Sequence, residues 1–285
     1  MKNNKRVVKP VFIIGAPRSG TTLLYNVLCN HRDVSFFTLN LLRAGVYKKG
    51  RILGYRKELL ARIQNLIHRD RISLQPDEAT ICWSKFFGTY NHLIEYDCTQ
   101  EMTDHYLRVL AKVQAIFNRP RFINKNPQHS FRVRILNKIF PDAKFIHIIR
   151  ESNAVACSTF AKVREEPPPN SYSVSLMDKI LPLLLIDKNS SLSLKDIQKY
   201  YSEIQLYALA RDVLISNARE AQTFGNTRYY EINYEDLVAE PKKRLEEILD
   251  FCELDKYQEF NDRLPEIRNE NLKWEKLLKS GTVDS

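Results

Sequence analysis

The sequence predicts an α/β protein: a mainly parallel central sheet flanked by helices on both faces, a three-layer sandwich. Three observations predict it. Short β-branched or aromatic runs alternate with longer amphipathic stretches along the 285 residues. One run, Lys144 to Ile149 (KFIHII), is apolar almost throughout, as a strand covered on both faces must be. The first run, Val11 to Ile14, ends at Gly15 and is followed by a helical pattern, the strand–turn–helix step from which parallel sheets are built.

In order, the pattern gives a strand at Val11 to Ile14, a loop from Gly15 to Gly20, and a helix from Thr21 to Asn30 with Leu24, Val27 and Leu28 at helical spacing. Val34 to Phe37 reads as a second strand and Glu58 to Ile67 as an amphipathic helix. Asp77 to Phe87 reads as a helix opened by acidic residues that suit the positive end of its dipole. Thr103 to Phe117 follows with Thr103 as its cap. Then come a strand at Arg121 to Asn124, a helix at Ser130 to Phe140, the strand at Lys144 to Ile149 and a helix at Ser152 to Ala161. The stretch from about 165 to 195 holds PPP at 167 to 169, many serines and an apolar patch. The alternation resumes behind it, so it reads as an insertion able to cover a site, and the chain as one domain, 1–285. Asp196 to Phe224 reads as a long helix, Arg228 to Ile232 as a strand, and Pro241 to Cys252 as a helix with proline in its first turn.

Composition narrows the partners. The net charge is +10, which suits a basic cleft for an anionic small molecule; no basic stripe interleaved with aromatics points to nucleic acid. Five widely spaced cysteines, odd in number, read as reduced thiols of a cytoplasmic protein. The basic start and the short run after it fall far below the length of a membrane span. No metal-ligand spacing occurs, and the six histidines are scattered. His147 sits mid-strand and reads as a satisfied core residue.

Ligands of such sheets bind at the C-terminal ends of the strands. The segment from Val11, V-F-I-I-G-A-P-R-S-G-T-T-L-L, runs strand, glycine-bounded loop, helix N-terminus, a geometry that aims backbone N–H groups at an anion. Gly15 and Gly20 frame four residues as in a P-loop, but Thr21-Thr22 stand where a Walker lysine and hydroxyl would be, and the cation is Arg18 inside the loop. A loop without that lysine suits a donor with one bridged phosphate. A second segment, from Phe140 to Phe160, delivers Arg150 at a strand end and Ser158 two helical turns later, so that both can reach one phosphate.

P-R-S-G-T-T-L-L resembles the 5′-phosphosulfate loop of sulfotransferases that use 3′-phosphoadenosine 5′-phosphosulfate (PAPS), and the Arg150…Ser158 segment resembles their 3′-phosphate motif. The texture is most similar to the bacterial-type branch that also contains tyrosylprotein sulfotransferases. The resemblance implies a P-loop-type fold with PAPS as co-substrate, adenosine 3′,5′-bisphosphate as product and no metal. Arg18, Ser19, Gly20, Thr21 and Thr22 would hold the 5′-phosphate, with Arg18 also near the leaving oxygen, and Arg150 and Ser158 the 3′-phosphate. Tyr234, in Y-Y-E-I-N-Y-E-D, would lie against adenine, its alternative being a core tyrosine; Asp236 reads as a helix cap. The C-terminal Arg-Lys-Gly segment of the cytosolic branch is absent, with Arg263, Arg268 and Lys273 as substitutes.

In-line transfer of a sulfuryl group needs a positioned acceptor, a base for its proton and positive charge on the departing oxygen. Lys125, in I-N-K-N-P-Q-H, matches the family lysine that contacts the transferring group. For the base, the histidine that the cytosolic branch has two residues later is here Pro127, and S-F-F-T-L-N lacks the carboxylate of the tyrosylprotein branch. Glu78 in Q-P-D-E is the first choice and His129 the second; Glu78 serves equally as a helix-opening acid. The acceptor group is a hydroxyl or an amine of a small molecule; the apolar patch of the insertion favours a hydrophobic alcohol such as a lipid or steroid over a bare sugar, a core helix being the other reading of the same patch. The rival readings are a kinase-like phosphotransferase, which lacks its lysine, and a non-catalytic nucleotide-binding relative.

Overall fold

The computed structural model describes residues 7–43, 74–165, 202–262 and 264–274. The helix expected at Glu58 to Ile67, the insertion at about 165–195 and Arg263 lie outside them.

Five strands form one parallel sheet: β1 (Val11–Ile14), β2 (Val34–Ser35), β3 (Arg121–Lys125), β4 (Lys144–Ile149) and β5 (Tyr229–Asn233). Their order is β2-β3-β1-β4-β5. The two central strands β1 and β4 are buried at every position, because helices cover both faces of the sheet. Phe12 anchors the middle, its ring meeting Trp83, Phe140 and Phe145 at 5.6–6.1 Å between centroids.

The register decides what meets at the sheet's C-terminal edge. Ile13 lies beside Lys125, Ile14 beside His147 and Ile149 beside Asn233. The loop after β1, the last residue of β3, Arg150 after β4 and Tyr234 after β5 are therefore brought together.

Helix α1 (Thr21–Cys29) begins directly after the glycine loop. Two helix starts differ from the sequence reading. Helix α3 (Thr80–Phe87), the third after the short α2 (Leu39–Arg43), begins three residues later than expected, because Asp77 Oδ1 accepts the Ala79 N–H at 2.6 Å and Ala79 itself turns to φ 55°. Helix α4 (Gln100–Phe117) is capped by Thr99, whose hydroxyl accepts the Met102 N–H, so Thr103 lies inside the first turn. The stretch expected as one helix from Ser130 splits into a 3-10 turn at Pro127–Phe131 and helix α5 (Val133–Ile139). Helix α6 (Ser152–Glu165) follows β4. Helix α7 (Glu203–Ala218) opens on a capping box of Ser202 and Gln205 and passes into a 3-10 turn at Arg219–Phe224. Helices α8 (Tyr234–Ala239), α9 (Pro241–Cys252) and α10 (Gln258–Asp262), with a 3-10 turn at Glu95–Asp97, complete the described elements. Among the described residues no helix is long and apolar enough to cross a membrane.

Candidate functional site

The loop after β1 is shaped by two glycines that no other residue replaces. Gly15 has φ 143°, and a Cβ there would stand 2.4 Å from the Ile148 carbonyl oxygen; Gly20 has φ 92°, and a Cβ there would stand 2.6 Å from the Tyr234 ring. Ser130, on the turn after β3, fixes the loop's start by accepting the Gly15 N–H at 3.1 Å. No side chain caps α1, so the N–H groups of its first turn face the cleft beside it.

That cleft, about 290 Å³, is lined by Arg18, Gly20, Thr21, Thr22, Arg150 and Tyr234, with Glu266, Arg268 and Glu270 from the C-terminal segment. Arg18, at φ 68°, donates from Nε to Ser158 Oγ at 2.9 Å. Arg150 is 5% exposed. Its Nη1 donates to the Arg18 carbonyl at 2.9 Å, its Nε to Asn271 Oδ1 at 2.7 Å, and its guanidinium lies 4.3 Å over the Tyr234 ring. Burial pulls the Arg150 pKa below its ordinary value and the neighbouring Arg18 charge pulls the same way, while Tyr234 and the more distant Glu235 and Glu270 carboxylates oppose the shift. Among the described residues neither arginine has a carboxylate within ion-pair distance. Two buried polar atoms here lack any partner, Ser19 Oγ and Arg150 Nη2. Two guanidiniums without an ion-pair partner, the free Arg150 Nη2 and the uncapped start of α1 thus meet at one cleft and suit an anion, with the Glu266 and Glu270 carboxylates on its C-terminal side.

The structure thus brings Arg18, Ser19, Gly20, Thr21, Thr22, Arg150 and Ser158 together. Tyr234 joins them differently from the expectation. It is buried, its ring is covered by Gly20 and Arg150, and its hydroxyl donates to the Arg268 carbonyl and accepts the Glu270 N–H, so it supports the cleft floor. Of the C-terminal cations, Arg268 lines the cleft but pairs with Glu266 at 2.6 Å, and Lys273 lies over Trp274.

Lys125 ends β3 next to the loop, and its ammonium is paired with Glu78 Oε1. Lys125 is almost wholly buried, whereas a third of the Glu78 side chain is exposed. The asparagines on either side of the lysine set this pair. Asn124 Nδ2 donates to the carbonyls of Asp77 and Glu78 at 3.4 Å, and Asn126 Nδ2 to that of Glu78 at 3.3 Å. His129 does not join them. It is 0% exposed, its ring stands edge-on to Phe12 and Trp83, and its Nε2 bonds to Asn124 Oδ1. Burial first, and Arg132 second, hold its pKa well below the usual imidazole range. It is a core residue with no surface to offer an acceptor.

Sequence reasoning missed Asn124, Asn126, Ser130, Arg211 and Asn271. Arg211 donates twice to the Arg150 carbonyl, at 2.9 and 2.6 Å. The only sequence signal was polarity out of place, two asparagines around the lysine at the end of an apolar strand. His147 also differs from the reading: its Nδ1 meets Tyr229 Oη at 2.8 Å, but its Nε2 is buried without a partner. Among the described residues no group of His, Cys, Asp and Glu could hold a metal ion.

Three comparisons bear on this site. The family model described as "Sulfotransferase family" matches residues 10–259. An omega-hydroxy-beta-dihydromenaquinone-9 sulfotransferase of Mycobacterium bovis is 26% identical over 279 residues, covering 90% of this chain and 65% of that protein. The chain thus spans somewhat less than two thirds of that relative's length. The crystal structure of a sulfotransferase from Mycobacterium avium superposes with a TM-score of 0.56 at 15% identity, covering 90% of this chain and 67% of that one, a likeness of fold.

Proposed function

The chain belongs to the sulfotransferase family, and from that premise we propose that it moves a sulfuryl group from PAPS to a hydroxyl of a small, hydrophobic acceptor. The observation that carries the reading is the pair of guanidiniums, Arg18 and Arg150, left without carboxylate partners beside the bare N-terminus of α1. Such a cleft binds an anion at each end. The loop and Arg18 take the 5′-phosphosulfate, and Arg150 with Ser158 the 3′-phosphate. The partnerless Ser19 Oγ and Arg150 Nη2 fit that ligand, because a buried donor without a partner is costly until a ligand fills it.

In the transfer, the acceptor's proton passes to Glu78, its oxygen bonds to sulfur, and the bond from sulfur to the 5′-phosphate oxygen breaks, releasing adenosine 3′,5′-bisphosphate. Lys125 offsets the charge that grows on the departing oxygen. A kinase-type reaction would need a lysine after Gly20 and a magnesium-holding carboxylate; Thr21 stands in the first place, and the end of β4 carries Arg150. An apolar acceptor is supported by Leu39 and Ile81. Both are exposed; Ile81 lies three residues beyond Glu78, and Leu39 follows Thr38, which bridges to Pro76. The name of the mycobacterial relative, which carries an ω-hydroxylated menaquinone, supports it too. The five free thiols fit a cytoplasmic setting.

The test is calorimetric and thermal-shift titration with adenosine 3′,5′-bisphosphate, with ATP–Mg²⁺ and AMP as controls. Selective binding of the bisphosphate, lost in both Arg18→Ala and Arg150→Ala, is the expected result. A preference for ATP–Mg²⁺, or no binding, overturns the reading.

A further inference from the structure

A guanidinium that is to bind an anion faces a conflict. It must be held still, yet a holder that carries negative charge cancels the attraction the ligand needs. Arg150 is held without that cancellation. Its Nε donates to Asn271 Oδ1 at 2.7 Å and its Nη1 to the Arg18 carbonyl at 2.9 Å, both neutral oxygens, while Nη2 has no partner.

Asn271 reaches Arg150 from the C-terminal segment, 121 residues further along the chain. It is buried and itself pinned. Its backbone N–H donates to Asn269 Oδ1 at 2.9 Å, and its Nδ2 donates to Glu235 Oε1 at 2.7 Å. That second bond decides which way the amide points, because a carboxylate accepts only from the NH2 end. The amide oxygen is thereby turned to Arg150. Glu235 Oε1 also accepts the Glu151 N–H at 3.1 Å, so the carboxylate stays one hydrogen bond away from the guanidinium.

We propose that Asn271 is a positioning residue for the nucleotide's 3′-phosphate: interposed between Glu235 and Arg150, its amide orients the guanidinium while leaving the positive charge to the ligand. The proposal rests on the nucleotide reading above. It explains why an amide stands where an aspartate would make the stronger bond to arginine, and it gives the C-terminal segment a part in the cleft although the Arg-Lys-Gly segment of the cytosolic branch is absent from the sequence.

The experiment compares affinities for adenosine 3′,5′-bisphosphate and AMP, which lacks the 3′-phosphate, in the full chain and two variants. Asn271→Ala removes the orienting oxygen. Asn271→Asp combined with Glu235→Gln keeps the bonds from 235 to 271 and from 271 to Arg150, with the amide and the carboxylate exchanged, and so places the negative charge on Arg150; only the exposed Glu151 N–H, which shares Glu235 Oε1, gives up its acceptor to water. In both, the bisphosphate-to-AMP affinity ratio is expected to fall about tenfold or more, the size of one hydrogen bond to a charged group, with AMP binding changed less than about threefold. The double variant should melt within a few degrees of the wild type, which a purely structural role for Asn271 does not reconcile with lost discrimination. A ratio preserved in both variants overturns this proposal alone. A wild-type protein that does not favour the bisphosphate overturns the nucleotide reading and this proposal with it.

Discussion

The Arg18–Arg150 cleft and the Lys125–Glu78 pair stand at the ends of neighbouring strands, yet their buried cations are held by opposite means. Arg150 and Lys125 are about equally buried, at 5% and 4% exposed. Arg150 is held by neutral oxygens from Arg18 and Asn271, whereas Lys125 is closed on a carboxylate. A buried charge without a counterion is costly and gains most from an anionic ligand; one already paired gains little. On the proposed function, one region binds and the other acts once something is bound. If that division is right, damage to either should leave the other's property standing.

Lys125→Ala should break the comparison most visibly. Sulfuryl transfer from labelled PAPS to a hydroxylated acceptor should fall by about 10²–10³, the usual effect of removing one charge-stabilising group. The affinity for adenosine 3′,5′-bisphosphate should stay within about threefold of the wild type, because Glu78 is partly exposed and hydrates once unpaired. If binding collapses together with transfer, the two regions are one unit and the division fails.

Asn124→Ala is a smaller and more specific break. Asn124 holds the Asp77 and Glu78 carbonyls from one side, and its Oδ1 accepts from Trp83 Nε1 at 2.9 Å as well as bonding His129 Nε2. Its loss frees the segment carrying Glu78 and leaves buried donors unpaired, at a cost of about 1–3 kcal/mol in stability. Turnover should drop about tenfold, as expected when a proton acceptor is misplaced rather than removed, with bisphosphate affinity unchanged. Denaturant melts and steady-state rates on the same preparation check both halves of the statement.

The same contrast explains what could be read from the sequence. The anion loop is a contiguous string, P-R-S-G-T-T, and Ser158 follows Arg150 at a fixed helical spacing, so local geometry was enough to place them near one another. The parallel sheet was visible as well, because buried strands are apolar runs; the order β2-β3-β1-β4-β5 was not, because crossovers rather than local pattern decide it. Asn271 and Glu235 meet across 36 residues and Asn271 and Arg150 across 121, through contacts that leave no periodic trace. Glu78 stood out as part of an acidic stretch. What puts it against Lys125, two asparagine amides and the left-handed turn at Ala79, is tertiary and outweighed the helix pattern read from Asp77. His129 misled for the opposite reason: a histidine near a reactive lysine suggests a base, and only packing against Phe12 and Trp83 reveals a core residue.

The smallest expected effect concerns acid, and it sharpens the comparison from the side of stability. His105, on α4, packs against Phe86 and Tyr106, and Tyr106 in turn donates to the Trp83 carbonyl, so it backs the Lys125–Glu78 region. Burial, then the charges of Lys85, Arg108 and Lys112, pull its pKa down from 6.5 to about 4. The folded state therefore keeps it neutral where the unfolded chain protonates. Its contribution is complete above about pH 6.5 and is lost as the pH falls from there toward about 4. His129, in the same region, is held down by burial and by Arg132. His147, behind the cleft, is also lowered by burial, but there the Glu231 carboxylate opposes the shift. Acid should accordingly loosen the Trp83 side before the β4–β5 side. Amide hydrogen exchange at pH 5 against pH 7 should show a larger loss of protection in Gln100–Phe117 than in Tyr229–Asn233. His105→Gln should narrow that gap and reduce the acid-induced fall in melting temperature by a few degrees. Equal loosening of both sides, unchanged by the substitution, would mean that acid acts on the fold as a whole and that the two regions share one stability.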